Sequence, residues 1–326
     1  METHMQHEMM RHEDVQLVAN QGWDKRILVC RCGTIVDAFV VITERYLILI
    51  DTLINPETAA AMLAIARRHK PDGQLLVINT HADWDHCWGN QLFTGANTSH
   101  SAPIIASRRC TERLRSAAAR QELADLREQR PGYFDLVVLT PPTILFDHWL
   151  TIEGGDLTLQ LFMTPGHQPD HISIFIPEIS TLFAGDAAEL PFPFVESAAS
   201  LPDLRASLEK MAKLRATHVF YCHAPERVGP KLLQGNIAYF NKLEQRCKAA
   251  LNAHSKLSIG DGANLEALIA FPFEDAVPPG FDAEQLACFY RSGHHSAIRA
   301  MLEHLSRAAT PGVKGSPTDT ALRSSP

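Results

Sequence analysis

No stretch of this 326-residue chain stays apolar for the roughly 18 to 20 residues that a bilayer crossing needs. The nearest, Ala38 to Ile50, is broken by Glu44 and Arg45. The opening METHMQHEMMRHEDVQ lacks the apolar centre of a secretory leader, so a cytoplasmic protein without membrane contact is the expectation. An excess of positive charge is also missing: 30 Lys and Arg stand against 37 Asp and Glu, a net charge of −7. Gripping phosphate backbones calls for the opposite balance, so no nucleic-acid partner is expected. The one basic stretch, Arg108 to Arg130, is interleaved with acids and alanines and reads as a solvated helix face. Seven cysteines, an odd number at irregular spacings, make no disulfide framework. Cys30 and Cys32 fall in a strand-like run, where their thiols share one face and read as buried. No short-period repeat is present.

What is there is an ordinary globular composition, 45% hydrophobic and 21% charged, in a chain long enough to bury a large core. Residues 1–14 read as a flexible tail, and the Pro-, Gly- and Ser-rich 309–326 as a disordered one. Alternating apolar residues from Arg26 to Thr52 predict two or three strands. Asn55-Pro56 then opens a helix that Pro71-Asp72-Gly73 breaks, and Leu75 to Ile78 is a short buried strand. This strand-helix-strand rhythm implies stacked α and β layers. Ala106 to Arg130 reads as helical, stopped by Pro131-Gly132. Gly154-Gly155-Asp156 marks a hairpin turn before Leu157 to Met163, and Ile172 to Ile176 and Thr181 to Ala184 are further strands. Pro202 to Leu214 is a helix, His218 to Cys222 the last core strand, Gly229 to Asn252 a long helix, and Ala283 to Ser306 one or two more.

Four short clusters carry the chemistry. THADWDH holds His81, Asp83, Asp85 and His86 directly after an apolar run; TPGHQPDH supplies His167, LFAGD supplies Asp186, and YCHAP supplies His223. Imidazole and carboxylate hold zinc or iron while leaving positions open for water. Ligands delivered from strand ends have their geometry fixed by rigid elements. If THADWDH leaves its strand as a loop entering a helix, residues two apart point one way, and Asp85 and His86 face a second position beside the first. One loop can then feed two ions about 3.5 to 4 Å apart, a centre that activates water. Taken singly, His81 or His223 is more often a hydrogen-bonded structural histidine; their order and spacing argue for ligands. His171 is a candidate for substrate binding or for supporting the ligands. Trp84, Trp88 and Phe192, with Phe194, are candidates to wall an apolar substrate pocket, with core packing as the competing reading. Cys87 and Cys222 read as packing. His294 and His295 read as helix-cap residues.

In combination and order, these motifs resemble the metallo-β-lactamase superfamily, whose usual first motif is H-x-H-x-D-H, followed by a distant His, an Asp and a final His. The resemblance covers about residues 25 to 250. It implies an α+β fold, a four-layer αβ/βα sandwich spanning 15–250, with a C-terminal helical extension at 251–308. It implies that His81, Asp83 and His167 hold one metal, that Asp85, His86 and His223 hold a second, and that Asp186 bridges them. Two divalent ions are implied, zinc first, with iron or manganese as alternatives because Asp83 replaces the usual His with a harder ligand. The expected activity is that of a dinuclear hydrolase using a metal-bridging hydroxide on a small ester, lactone, thioester or amide-like substrate, with Asp85 shuttling a proton. Flavodiiron-type domains also place a carboxylate where Asp83 stands, so a di-iron redox enzyme is the alternative, and a phosphodiesterase a third. The partner is then a small-molecule substrate, and homodimerisation stays open.

Overall fold

The computed structural model describes residues 14–95, 98, 100–195, 197–253 and 264–309. The expected tails lie outside these apart from Asp14 and Ala309, as do His4, His7 and His12. Two sheets face each other. The first runs β1 (Val15–Leu17), β2 (Ile27–Cys32), β3 (Val36–Ile42), β4 (Tyr46–Ile50), β5 (Gln74–Ile78), β6 (Ile104–Ser107) and β7 (Ile144–Phe146), in that spatial order. Its first four strands pair antiparallel and its last three join in parallel. The second sheet holds β8 (Trp149–Glu153), β9 (Thr158–Met163), β10 (Ile172–Ile176), β11 (Thr181–Phe183) and β12 (His218–Phe220), antiparallel except for the β11–β12 pair.

Strands apolar on both faces must be covered on both faces. The inner faces meet through Phe39 of β3, whose ring lies 5.1 Å from Phe183 of β11 and 5.6 Å from Phe220 of β12. On the outside of the first sheet, α1 (Pro56–His69) buries Met62, Leu63, Ile65 and Ala66. Its start is a reciprocal cap: Asn55 Oδ1 accepts from the Thr58 N–H at 2.9 Å, and Thr58 Oγ1 accepts from the Asn55 N–H at 3.2 Å. Such a cap contributes about 1 kcal/mol. Outside the second sheet lie α5 (Leu201–Lys213), α6 (Pro230–Ala253) and, beyond a short α7 (Leu265–Ile269), the long α8 (Ala283–Ala309). Leu208 and Met211 of α5, Leu243 of α6 and Met301 of α8 are buried in one cluster with Leu182 of β11 and Val219 of β12. Full burial of such a side chain stabilises by about 2 kcal/mol. The result is the expected αβ/βα sandwich with helices added at its C-terminal end.

The chain also forms α2 (Trp84–Cys87), which contacts β3, α3 (Arg108–Leu114), which contacts β6, and α4 (Ala117–Gln129), which packs on α3. Here the structure corrects the expectation of one helix from Ala106 to Arg130. Residues 104–107 are the strand β6, and two serines divide the remainder into separate helices: Ser107 Oγ caps α3 by accepting from Cys110 N, and Ser116 Oγ caps α4 by accepting from Ala119 N. The stretch 283–306 is a single helix, so His294 and His295 lie inside α8 and cap nothing. Cys30 and Cys32 are buried, as are Cys87 and Cys222. Among the described residues, no helix is long and apolar enough to cross a membrane.

Candidate metal centre

The parallel strands β4 and β5 end side by side, and the turns beyond them build the first half of the site. Asp51 follows β4 with φ of 67°, a left-handed conformation that a short polar side chain tolerates. Its carboxylate accepts from the Thr80 N–H and the Thr80 hydroxyl, both at 2.7 Å, tying the two strand ends together. The same carboxylate lies 2.9 Å from Nδ1 of His86, on the one-turn helix α2, leaving Nε2 of that ring for the site. The second half uses two glycines. Gly166 has φ of 136°, and a Cβ there would sit 2.2 Å from Leu204 Cα of α5; the turn bearing His167 rests on the helix backbone. Gly185, with φ of 56°, presses against Nε2 of His171, where a Cβ would sit 2.6 Å away. That nitrogen accepts from the Asp186 N–H at 3.0 Å, while Nδ1 of His171 meets Thr164 Oγ1 at 2.9 Å.

These turns bring together all seven side chains that the sequence singles out as ligands. Asp186 Oδ2 lies 3.1 Å from Nε2 of His86 and 3.1 Å from Nε2 of His223. The same oxygen lies 3.7 Å from Nε2 of both His81 and His167. Asp83 Oδ2 is 3.4 Å from His81 Nε2 and 3.5 Å from His167 Nε2; Asp85 Oδ2 is 3.6 Å from His86 Nε2 and 3.3 Å from His223 Nε2. Ligand arms of 2.0 to 2.1 Å in a tetrahedron put donor atoms about 3.3 Å apart, which is the spacing found here. His81, Asp83 and His167 therefore form one group able to hold a cation, and Asp85, His86 and His223 another. The donor set also passes a chemical test. His81 Nε2, His86 Nε2, His167 Nε2 and Asp186 Oδ1 are all buried without a hydrogen-bond partner. Each such atom costs about 1 to 3 kcal/mol unless something satisfies it. A metal ion does.

Electrostatics point the same way. Burial pushes the Asp186 carboxyl up, but His223 and His86 outweigh it and hold the group well below the usual carboxylate range. Asp83 behaves alike, burial being outweighed by His81, His167 and Arg113. Burial lowers His86 and His223, yet Asp186 and Asp85 raise both well above the ordinary histidine value. His167, lowered by burial, is raised by Asp83, Asp186 and Glu189 to about 9. The carboxylates thus favour positive charge at His86, His167 and His223.

The expectations about the other side chains meet different fates. His171 is fully buried with both ring nitrogens bonded, so it holds the backbone of Asp186 and has no atom left for substrate. Trp88 and Phe192 are buried in the core, Trp88 edge-on to Phe134 and Phe192 stacked on Tyr239 at 4.1 Å, and neither walls an open pocket. Trp84 is partly exposed, lining a groove of about 430 Å³ with Ala118, Gln121, Asp125 and Leu126 of α4, and Phe194 is partly exposed against Phe289 and Tyr290. His294 is buried between Tyr239 Oη and the Phe271 carbonyl, and His295 pairs with Glu266 at 2.8 Å. Other residues at the site went unread in the sequence: Asp51 behind His86, Glu189 beside His167, and Arg113 with Asp170 behind Asp83. Asp51 leaves a faint signal, an acid that ends an apolar strand, and Asp170 lies within TPGHQPDH; Glu189 and Arg113 leave none.

Comparison with known proteins agrees with this architecture. A putative transcription factor, avaE of Aspergillus versicolor, is 29% identical over 158 residues, 46% of this chain and 44% of its own. A beta-lactamase-like protein 2 homolog of Caenorhabditis elegans is 32% identical over 119 residues, 35% of this chain and 38% of its own. The chain thus spans under half the length of the curated relatives it matches. Among solved structures, a metallo-beta-lactamase family protein from Thermus thermophilus superposes with a TM-score of 0.56 at 18% identity, over 84% of this chain and 89% of that one. The family description "Metallo-beta-lactamase superfamily", whose members are typically metal-dependent hydrolases, matches residues 33–223, a segment that carries every histidine and carboxylate of the cluster. This chain belongs to the metallo-beta-lactamase superfamily.

Proposed function

We propose that this chain is a dinuclear metal-dependent hydrolase acting on a small ester, lactone, thioester or amide-like substrate. His81, Asp83 and His167 would hold one ion, Asp85, His86 and His223 the other, with Asp186 shared and zinc the simplest occupant. The observation that carries this reading is the position of Asp186 Oδ2, one oxygen faced by the Nε2 atoms of four histidines. A bound pair of divalent cations lowers the pKa of water and polarises the electrophile's oxygen. The chain's own part is to present donors and manage protons. Asp51 and His171 hold His86 and the Asp186 backbone in place, so no reorganisation is needed when substrate arrives. Asp85, whose carboxylate faces His86 and His223, takes a proton at an oxygen and returns it to the leaving group. Metal analysis of the purified protein, with assays on lactone, ester, thioester and phosphodiester panels, tests the reading. Close to two ions per chain and turnover abolished by chelation are expected; turnover that survives metal removal overturns it.

A second reading has one specific motive. Asp83 puts a third carboxylate among the seven donors, a harder set than the usual one, which favours iron or manganese and redox chemistry. Protein from iron-supplemented cells would then carry iron absorption bands; a colourless zinc-only product counts against this alternative.

A further inference from the structure

A metal-binding imidazole needs its second nitrogen oriented, and that of His167 faces a carboxylate. Nδ1 of His167 is buried without a hydrogen-bond partner, and Oε1 of Glu189, equally buried and equally without one, lies 3.5 Å from it. The rest of Glu189 is fastened from elsewhere. Its Oε2 accepts from the Tyr290 hydroxyl at 2.9 Å. Its backbone N–H donates to Asn236 Oδ1 at 3.0 Å, and Asn236 Nδ2 donates to the carbonyls of Glu189 and Pro191, both at 2.9 Å. Asn236 belongs to α6 and Tyr290 to α8, both beyond residue 223, where the family match ends. Holding a carboxylate in the interior is costly unless its oxygens find donors. One oxygen has Tyr290; the other faces His167.

We propose that Glu189 is the positioning residue for His167, and that α6 and α8 hold it in that role through Asn236 and Tyr290. Glu189 Oε1 accepts the Nδ1–H, which fixes the tautomer whose Nε2 is free to bind a metal. Asp51 stands in the same relation to His86, but from the strand end beside it. At His167 the task passes to helices outside the matched segment, so the C-terminal helices complete the site instead of only covering the second sheet. This rests on the metal-binding reading above. Carboxylates that hold ligand histidines in this way typically account for 10- to 100-fold in metal affinity.

The test is zinc affinity of the full chain, measured by competition with a chromophoric chelator, with thermal unfolding in excess chelator as the check on folding. Glu189→Leu keeps the volume and removes the acceptor; one of the two zinc ions should bind about 10- to 100-fold more weakly while the other is unchanged. Glu189→Gln, which keeps an acceptor oxygen, should recover part of the loss, and Tyr290→Phe should weaken the same ion several-fold. A merely structural Glu189 would lower the unfolding temperature and leave both affinities at the wild-type value, and that result overturns the proposal. Should Glu189→Leu not fold, Tyr290→Phe decides: unchanged affinity for both ions overturns it. A wild-type chain that takes up no zinc, iron or manganese fails differently, because it removes the metal reading itself.

Discussion

Asp83 stands where the usual motif has a second histidine, and its surroundings suit a carboxylate. Arg113 of α3 donates to Asp83 Oδ1 at 2.6 Å and to Asp170 Oδ1 at 2.6 Å, while Gln168 Nε2 donates to Asp83 Oδ2 at 3.1 Å. Oδ1 is thereby neutralised and Oδ2 is left turned toward His81 and His167. Asp170 is fully buried and also accepts from the Ala82 N–H at 2.8 Å, so one arginine steadies both the first ligand loop and its odd member. Breaking a buried pair costs about 3 to 5 kcal/mol. Arg113 is 29% exposed, which screens part of that, so Arg113→Ala should cost about 2 kcal/mol. A shift of the urea midpoint at constant m-value would show it; a change within about 0.5 kcal/mol, the scatter of surface substitutions, would mean that the bridge contributes nothing. The candidate ligands were legible because short strings carry them. Their supports were not, since Asp51 meets His86 across 35 residues and Arg113 meets Asp83 across 30, distances that no local pattern spans.

Helices with a capping signal or a regular apolar face were legible in the same way. Asn55-Pro56 announces α1, and the apolar spacing of α5 and α6 matches the helices found. The strand β6 was not legible. Its four residues run into Arg108 without a turn marker, and only pairing with β5 and β7 makes them a strand, which is tertiary information. The helical extension adds a feature that only packing reveals. Glu266 of α7 accepts from Arg291 of α8 at 2.9 Å, from the Phe273 N–H at 2.9 Å, and sits 2.8 Å from His295 Nε2. Burial raises its pKa, but those donors outweigh burial and hold it below the ordinary 4.5. A carboxylate lowered on folding stabilises above its unfolded pKa, and that contribution is lost as pH falls through the folded value. Glu266→Gln should therefore be less stable than wild type at neutral pH, with the difference shrinking to nothing in acid. A difference that is constant with pH would remove the charge from the account.

On the scale of the whole molecule, the donors are divided between the halves. His81, Asp83, Asp85 and His86 follow a strand of the first sheet, whereas His167, Asp186 and His223 follow strands of the second. A cation held by both sets links the halves, and ligands that bind only the folded state stabilise by mass action, about 2.7 kcal/mol at 100 times Kd. Stripping metal should lower Tm by about 5 °C or more. Identical melting of the stripped and loaded protein would show that nothing there binds tightly.

The same division has a consequence for the chain at its birth. Synthesis proceeds at about 5 to 20 residues per second, so His223 leaves the ribosome on the order of ten seconds after His81. Until His167 emerges, the nascent first half presents His81, His86, Asp51, Asp83 and Asp85 with no counterparts from the second sheet. If ions bind as proposed, the group containing His223 is completed only with the last strand, which would make capture of that ion a late event and a report that translation and docking of the second half are complete.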